Sequence, residues 1–406
     1  MDHLVGKSRK RKAKEAPIIP SLLDELNQDL VERVLSWLPA SSFFRLLSVC
    51  KRWRAVATSE TFRIACSQVP YREPWFLMVD QDLDQLVIFD TNEWNWKSLN
   101  HQICNPKWQS CKPIPVASSG GLVCYHTDSG IFFVCNLLTG SCIELPPAYH
   151  GSNSQTLNAI AMHASSVYPS SFKIVLVLGK SPNLSFRVFD SVKSTWEDEV
   201  VLLQTVDSSL ESNVSGDEGY FLSKSGDVVA ANMKRIPSKQ YSSFLITENG
   251  DQVVYFLSEV GTIVACNISQ KTFFEYPRIL PIYLEYSIDV VECKGEMLVV
   301  VLSNFLETTS LKVWKFSEED KSWQQVAAMP PSMSHEFYGR KMDINCTGSH
   351  GLIFICASSS ESSKYIMFNV ETDEWVELQK CNVNGKAKEF TSVISFEPRV
   401  EATLQT

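Results

Sequence analysis

Residues 22–62 read LLDELNQDLVERVLSWLPASSFFRLLSVCKRWRAVATSETF, and this stretch decides the organisation of the chain. Leu26, Leu30, Val34 and Leu38 recur at a spacing of four, which marks one face of a helix. Pro39 cannot continue that helix and restricts the residue before it, so the helix is expected to end near Leu38. Ser41 or Ser42 is the expected cap of a second helix carrying Phe43, Phe44, Leu46 and Leu47. A third short helix would hold Cys50, Trp53 and Val56. Three such helices are too small to hide their own apolar faces, and an exposed contiguous apolar patch marks a binding surface.

The order Leu26, Leu30, Val34, Leu35, Leu38-Pro39, Arg45 and Val49-Cys50-Lys51-Arg52-Trp53 resembles an F-box. It departs from that pattern at Asn27, where F-boxes often carry proline. The resemblance implies docking onto the Skp linker of an SCF-type ubiquitin ligase, and through it a cullin. The residues it assigns to that grip are Leu26, Leu30, Val34, Leu35, Leu38, Pro39 and Trp53.

The chain has 406 residues, more than one core organises, so several units are expected. They are a basic tail over 1–20, the F-box over 21–63, a connector over 64–74, a β-rich unit over 75–400 and a tail over 401–406. The first fourteen residues hold Lys7, Arg9, Lys10, Arg11, Lys12 and Lys14 against Asp2. That run resembles a nuclear import signal, and an unaddressed solvated charge run is the other reading; nucleus and/or cytoplasm is the expected location. Net charge over the whole chain is -9, so the remainder is strongly acidic, which argues against a broad nucleic-acid surface. No apolar run approaches the roughly 20 residues of a membrane helix. The twelve cysteines lack metal-ligand spacing and many sit inside strand-like runs, so free thiols in a reducing compartment are expected.

From Trp75 onward short Val-, Ile-, Phe- and Tyr-rich runs alternate with Gly, Ser, Asn and Asp turns, a β signature. A unit recurs within it: Phe or Cys, then Asp, Asn or Ser, and six residues later a large apolar residue or Cys. The instances are Phe89-Asp90 to Trp96, Cys135-Asn136 to Cys142, Phe189-Asp190 to Trp196, Cys266-Asn267 to Phe273, Phe316-Ser317 to Trp323, and Phe368-Asn369 to Trp375. Each reads as a hairpin whose Asp or Asn side chain starts the turn and whose final residue packs between sheets.

The turn residues lie 46, 54, 77, 50 and 52 apart. A period near fifty suits a four-stranded propeller blade of the kelch kind, and this part resembles the plant F-box/kelch proteins, with Gly120-Gly121 similar to that repeat's diglycine. The fold class is therefore a small all-α F-box followed by an all-β kelch-like propeller of six blades, or seven if the 77-residue interval hides a decayed unit. A long loop or extra hairpin is expected between Leu203 and Phe244. The run Phe390 to Val400 would pair near Trp75 and close the ring.

No G-x-S-x-G elbow, phosphate loop or H-E-x-x-H motif is present, and the seven histidines form no paired motif. Catalytic, cofactor and metal residues are accordingly expected to be none. Three functions remain open: a ligase substrate adaptor whose propeller holds an unidentified protein target, a propeller scaffold acting outside a ligase, and an enzyme with its site at the propeller mouth.

Overall fold

The computed structural model describes residues 27–404 apart from 80–85, 100–112, 149–155, 166–170, 206–219, 223–227, 231–240, 259–260, 280–284, 306–307, 339, 341, 360–361 and 384. Leu26 and the basic run at 7–14 lie outside the described residues. The chain divides after Val69 into two compact units.

The first unit is helical: α1 (Gln28–Ser36), α2 (Ala40–Leu46), α3 (Lys51–Val56) and α4 (Glu60–Ser67). The first helix ends at Ser36, with Trp37 as its C-cap, near Leu38 as expected. Two expectations need correction. Pro39 itself is the N-cap of α2, and its fixed φ of -53° leads straight into Ala40, so Ser41 and Ser42 lie inside the helix. The expected connector over 64–74 is helical at its start, because Ser59 caps α4 by accepting the Phe62 N–H at 3.4 Å. Val31, Leu35, Phe43, Val56, Phe62 and Cys66 form the buried interior, with Phe43 stacked on Phe62 at 4.9 Å.

The second unit is a ring of six blades. Blade 1 joins Trp75–Val79, Leu86–Asp90 and Asn95–Leu99 to the late strand Ser392–Phe396. Blade 2 is Ile114–Ser119, Leu122–His126, Phe132–Cys135 and Cys142–Glu144. Blade 3 is Leu157–Ala164, Phe172–Lys180, Asn183–Asp190 and Thr195–Trp196, with Val200–Val201 added beside its third strand. Blade 4 is Ser243–Glu248, Asp251–Leu257, Ile263–Asn267 and Thr272–Glu275. Blade 5 is Glu285–Cys293, Glu296–Phe305, Thr308–Ser317 and Ser322–Ala328. Blade 6 is Asp343–Ser349, Leu352–Ser358, Ser363–Asn369 and Glu374–Glu377. The ring closes as the sequence suggests: Trp75 faces Phe396 and Val79 faces Ser392 in antiparallel register.

The apolar cores lie between blades, so the middle strands are buried on both faces and read as unbroken hydrophobic runs such as Leu122 to Tyr125. Side chains stitch adjacent inner strands to one another. Ser243 Oγ donates to the Ile160 carbonyl at 2.8 Å, Asp289 accepts the Cys346 N–H at 2.6 Å and Asn345 accepts the Val393 N–H at 2.9 Å. At Gly348 the blades come so close that a Cβ would collide with the Glu292 carbonyl oxygen, so only glycine fits.

The 77-residue interval does contain added strands. Leu203–Gln204 runs parallel to Thr272–Glu275 as a fifth strand of blade 4, and Tyr220–Leu222 pairs with Val228–Ala230 as a separate hairpin. The expected tail over 401–406 is instead part of the fold as far as it is described. Glu401 and Ala402 are buried, and Ala402 and Leu404 join the core between blades 2 and 3.

Candidate functional site

Helix α1 carries two apolar rows. Val31 and Leu35 face the helical interior and are 4% and 3% exposed. Leu30, Val34 and Trp37, also spaced by helical turns, are 53%, 60% and 61% exposed. The spacing-of-four face read from the sequence is therefore the outer one, and that reading misses the inner row. Leu35 belongs to the inner row, so it is corrected from a partner-binding residue to a core residue. Leu38, Pro39 and Trp53 are half-buried, and Leu26 lies outside the described residues. Phe44 and Val49 are exposed as well. The sequence reading does not assign Trp37, Phe44 or Val49 to the grip, although Trp37 follows Leu30 by seven residues, the continuation of the same row.

A polar network fixes this surface. Glu32 is 4% exposed; its carboxylate accepts hydrogen bonds from Thr61 Oγ1 of α4 and, at 3.0 Å, from Gln28 Nε2. Gln28 in turn accepts from Arg52 Nε of α3 at 3.2 Å. Burial pushes the Glu32 pKa up, but the hydrogen bonds from Thr61, Gln28 and Ser59 together outweigh it and hold the carboxyl below its ordinary value.

The repeat residues occupy equivalent places in all six blades. Phe89 faces Trp96, Cys135 faces Cys142, Phe189 faces Trp196, Cys266 faces Phe273, Phe316 faces Trp323 and Phe368 faces Trp375. Each turn is held by the preceding side chain: Asp90 accepts the Asn92 N–H, Asn136 the Leu138 N–H, Asp190 the Val192 N–H and Asn369 the Glu371 N–H, at 2.8 to 2.9 Å. Asn267 and Ser317 accept one residue further on, from Gln270 and Asp320. Trp96, Trp196 and Trp323 donate their indole N–H to carbonyls at the ends of neighbouring blades, Gln379, Pro146 and Pro277, at 2.7 to 2.9 Å. Phe273 and Trp375 are buried in inter-blade cores.

One regularity had no sequence signal. Trp94, Gly140, Ser194, Lys271, Lys321 and Asp373, each four residues after the turn residue, all have positive φ between 48° and 73°. With a single glycine among the six, composition hides that pattern. The expectation of free thiols also needs correction: Cys135 and Cys142 are joined in a disulfide. The hairpin register places their Cα atoms 4.1 Å apart, within bonding reach of two sulfurs. The other described cysteines are free, and burial pushes the Cys293 and Cys381 thiols up to about 11.

The inner strands surround a central cavity of about 690 Å3 whose lining includes Tyr71, His163, Glu292, His350 and Glu397. Tyr71 meets the His350 ring edge-on at 4.7 Å; burial, then the carboxylates of Glu73 and Glu397, push its hydroxyl up to about 12. Among the described residues no three His, Cys, Asp or Glu side chains converge to hold a metal ion. No helix among them is long and apolar enough to cross a membrane.

Comparison with known proteins agrees with both units. Residues 23–65 match the F-box domain family and residues 99–352 match the KIB1-4 beta-propeller family. The chain is 46% identical over 395 residues to F-box only protein 13 of Arabidopsis thaliana, covering 94% of this chain and 86% of that protein. It is 26% identical to F-box only protein 6 and 22% identical to Protein UNUSUAL FLORAL ORGANS of the same plant, covering 88% and 89% of this chain and 70% and 79% of theirs. An outward apolar row on a small helical unit, a six-bladed ring and these likenesses together place the chain in the plant F-box protein family with a KIB1-4 type β-propeller.

Proposed function

We propose that this protein is the substrate-recognition subunit of an SCF-type ubiquitin ligase. Its helical unit docks a Skp-type linker, and through it a cullin, while its propeller holds a protein target for ubiquitination. The observation that carries the reading is the double-faced α1: Val31 and Leu35 already satisfy the interior, leaving Leu30, Val34 and Trp37 exposed. With Leu38, Pro39, Phe44, Val49 and Trp53 they supply the apolar centre of an interface, and a few such anchors carry most of the binding energy. The chain itself performs no covalent step; tethering raises the effective concentration of the target beside the ubiquitin donor.

Strand direction alternates within each blade, so the third-to-fourth-strand turns gather on one face. The strands that lead from one blade to the next leave and enter at the other face, which we assign to the target. The basic run at 7–14 directs part of the protein to the nucleus in this reading; deleting it should lower the nuclear fraction.

The docking test is Leu30→Asp with Val34→Asp in the full chain. Capture of the linker should fall at least about 100-fold, as expected for burying two unpaired charges, while the propeller's unfolding transition stays in place. Undiminished capture refutes the assignment. Affinity purification with and without residues 20–62 then identifies the target as the protein enriched in the truncated form.

A further inference from the structure

Five of the six third-to-fourth-strand hairpins close on an aromatic residue, and blade 2 alone closes on the Cys135–Cys142 disulfide. Blade 2 therefore lacks the indole N–H that ties Trp96, Trp196 and Trp323 to a neighbouring blade. The covalent bond stands where packing holds the other hairpins. Cys135 is 1% exposed and Cys142 is half-buried, so Cys142 is the more accessible of the two to a solvent thiol.

The residue after Cys135 carries the consequence. Asn136 Nδ2 donates to the Arg399 carbonyl at 2.9 Å and the Ala402 carbonyl at 2.8 Å. These bonds hold the strap over 397–404, which follows the ring-closing strand and crosses from blade 1 to blade 2. The equivalent turn residues are engaged differently: Asp90 pairs with Lys97, and Asn267 Nδ2 donates to Asp251.

We propose that Cys135 and Cys142 form a reversible thiol–disulfide site that exchanges with small thiols of the glutathione class and sets how firmly the C-terminal strap is held. A thiolate attacks Cys142 Sγ, the bond to Cys135 breaks, and Cys135 leaves as a thiolate that takes up a proton. A second thiol attacks the mixed disulfide, releases Cys142 and departs as the symmetrical disulfide. Two thiols are thereby oxidised, one protein disulfide is reduced, and both cysteines end protonated; the small disulfide drives the reverse. Burial of Cys135 makes it a poor leaving group, so exchange with the closed propeller is slow. Once reduced, the hairpin frays, Asn136 loses its fixed place and the strap loosens.

The test is hydrogen exchange read by mass spectrometry on the full chain, equilibrated with oxidised or reduced glutathione, with disulfide mapping of each sample. Reduction should speed exchange about tenfold in residues 132–145 and in 397–404 while 312–328 is unchanged. The double variant Cys135→Ser, Cys142→Ser should match the reduced form in both buffers; Cys142→Ser alone serves if the double variant fails to fold. Strap exchange that does not follow the mapped redox state overturns the proposal, as does failure to find the 135–142 bond at any glutathione ratio.

Discussion

Asn136→Asp removes one kind of interaction and spares another at the same residue. The side chain is fully buried, and its Oδ1 accepts the N–H groups of Leu138 and Thr139 at 2.8 and 3.3 Å. Aspartate keeps both bonds, as Asp90 and Asp190 do in the equivalent turns. What it loses is the pair of bonds from Nδ2 to the Arg399 and Ala402 carbonyls, worth about 1 kcal/mol each. A carboxylate oxygen then faces two carbonyl oxygens without water, which adds about 1–3 kcal/mol. The expected cost is about 3–5 kcal/mol, measured by urea unfolding of the full chain followed by propeller tryptophan fluorescence. Asn369→Asp is the matched control. Asn369 Oδ1 accepts turn N–H groups from Glu371 and Thr372, and the residue is half-buried, so the change should stay within about 0.5 kcal/mol. The carboxyl introduced at position 136 would have a raised pKa through burial, so its cost is full above that value and shrinks as pH falls and the neutral acid can donate. Equal losses in the two variants, or a loss under about 1 kcal/mol for Asn136→Asp, would refute the reasoning.

Leu35→Ala should destabilise the helical unit by about 2–5 kcal/mol through the cavity it leaves, whereas Leu30→Ala should leave unfolding nearly unchanged and weaken linker capture; hydrogen exchange in α1 separates the two. Lys271→Gly and Lys321→Gly should each stabilise the propeller by about 0.5 kcal/mol, the left-handed backbone penalty exceeding glycine's entropic cost, as read from urea midpoints. Glu32 has a lowered folded pKa, so its contribution is complete above the unfolded carboxylate value and is lost as pH falls through the folded one. Thr61→Val removes a donor and should make α1 open at higher pH, which exchange measured across an acid series detects.

The repeat was legible because its signals are local: an Asp or Asn that binds its own turn and an aromatic partner at fixed register. Ring closure was legible because an orphan strand at each end leaves one way to remove free edges. Other features depend on what the chain meets at a distance. Leu35 differs from Leu30 only in which side of α1 the later helices cover, and α4 supplies that cover from residues read as connector. Glu401 to Leu404 carry no strand pattern; their order comes from the Asn136 amide and the blade 2 core. The disulfide is invisible in spacing alone, because Phe89 and Trp96 occupy the same offset.

The pairing of Trp75–Val79 with Ser392–Phe396 imposes an order on biogenesis. The two partners are separated by about 300 residues, on the order of half a minute of translation at typical ribosome speeds. The helical unit, built from near neighbours, can fold and meet its partner while blade 1 still offers an open edge. On the proposed function, a nascent chain thus presents its docking surface before its ring is closed, and a stall before Ser392 would leave that surface attached to an unsealed ring.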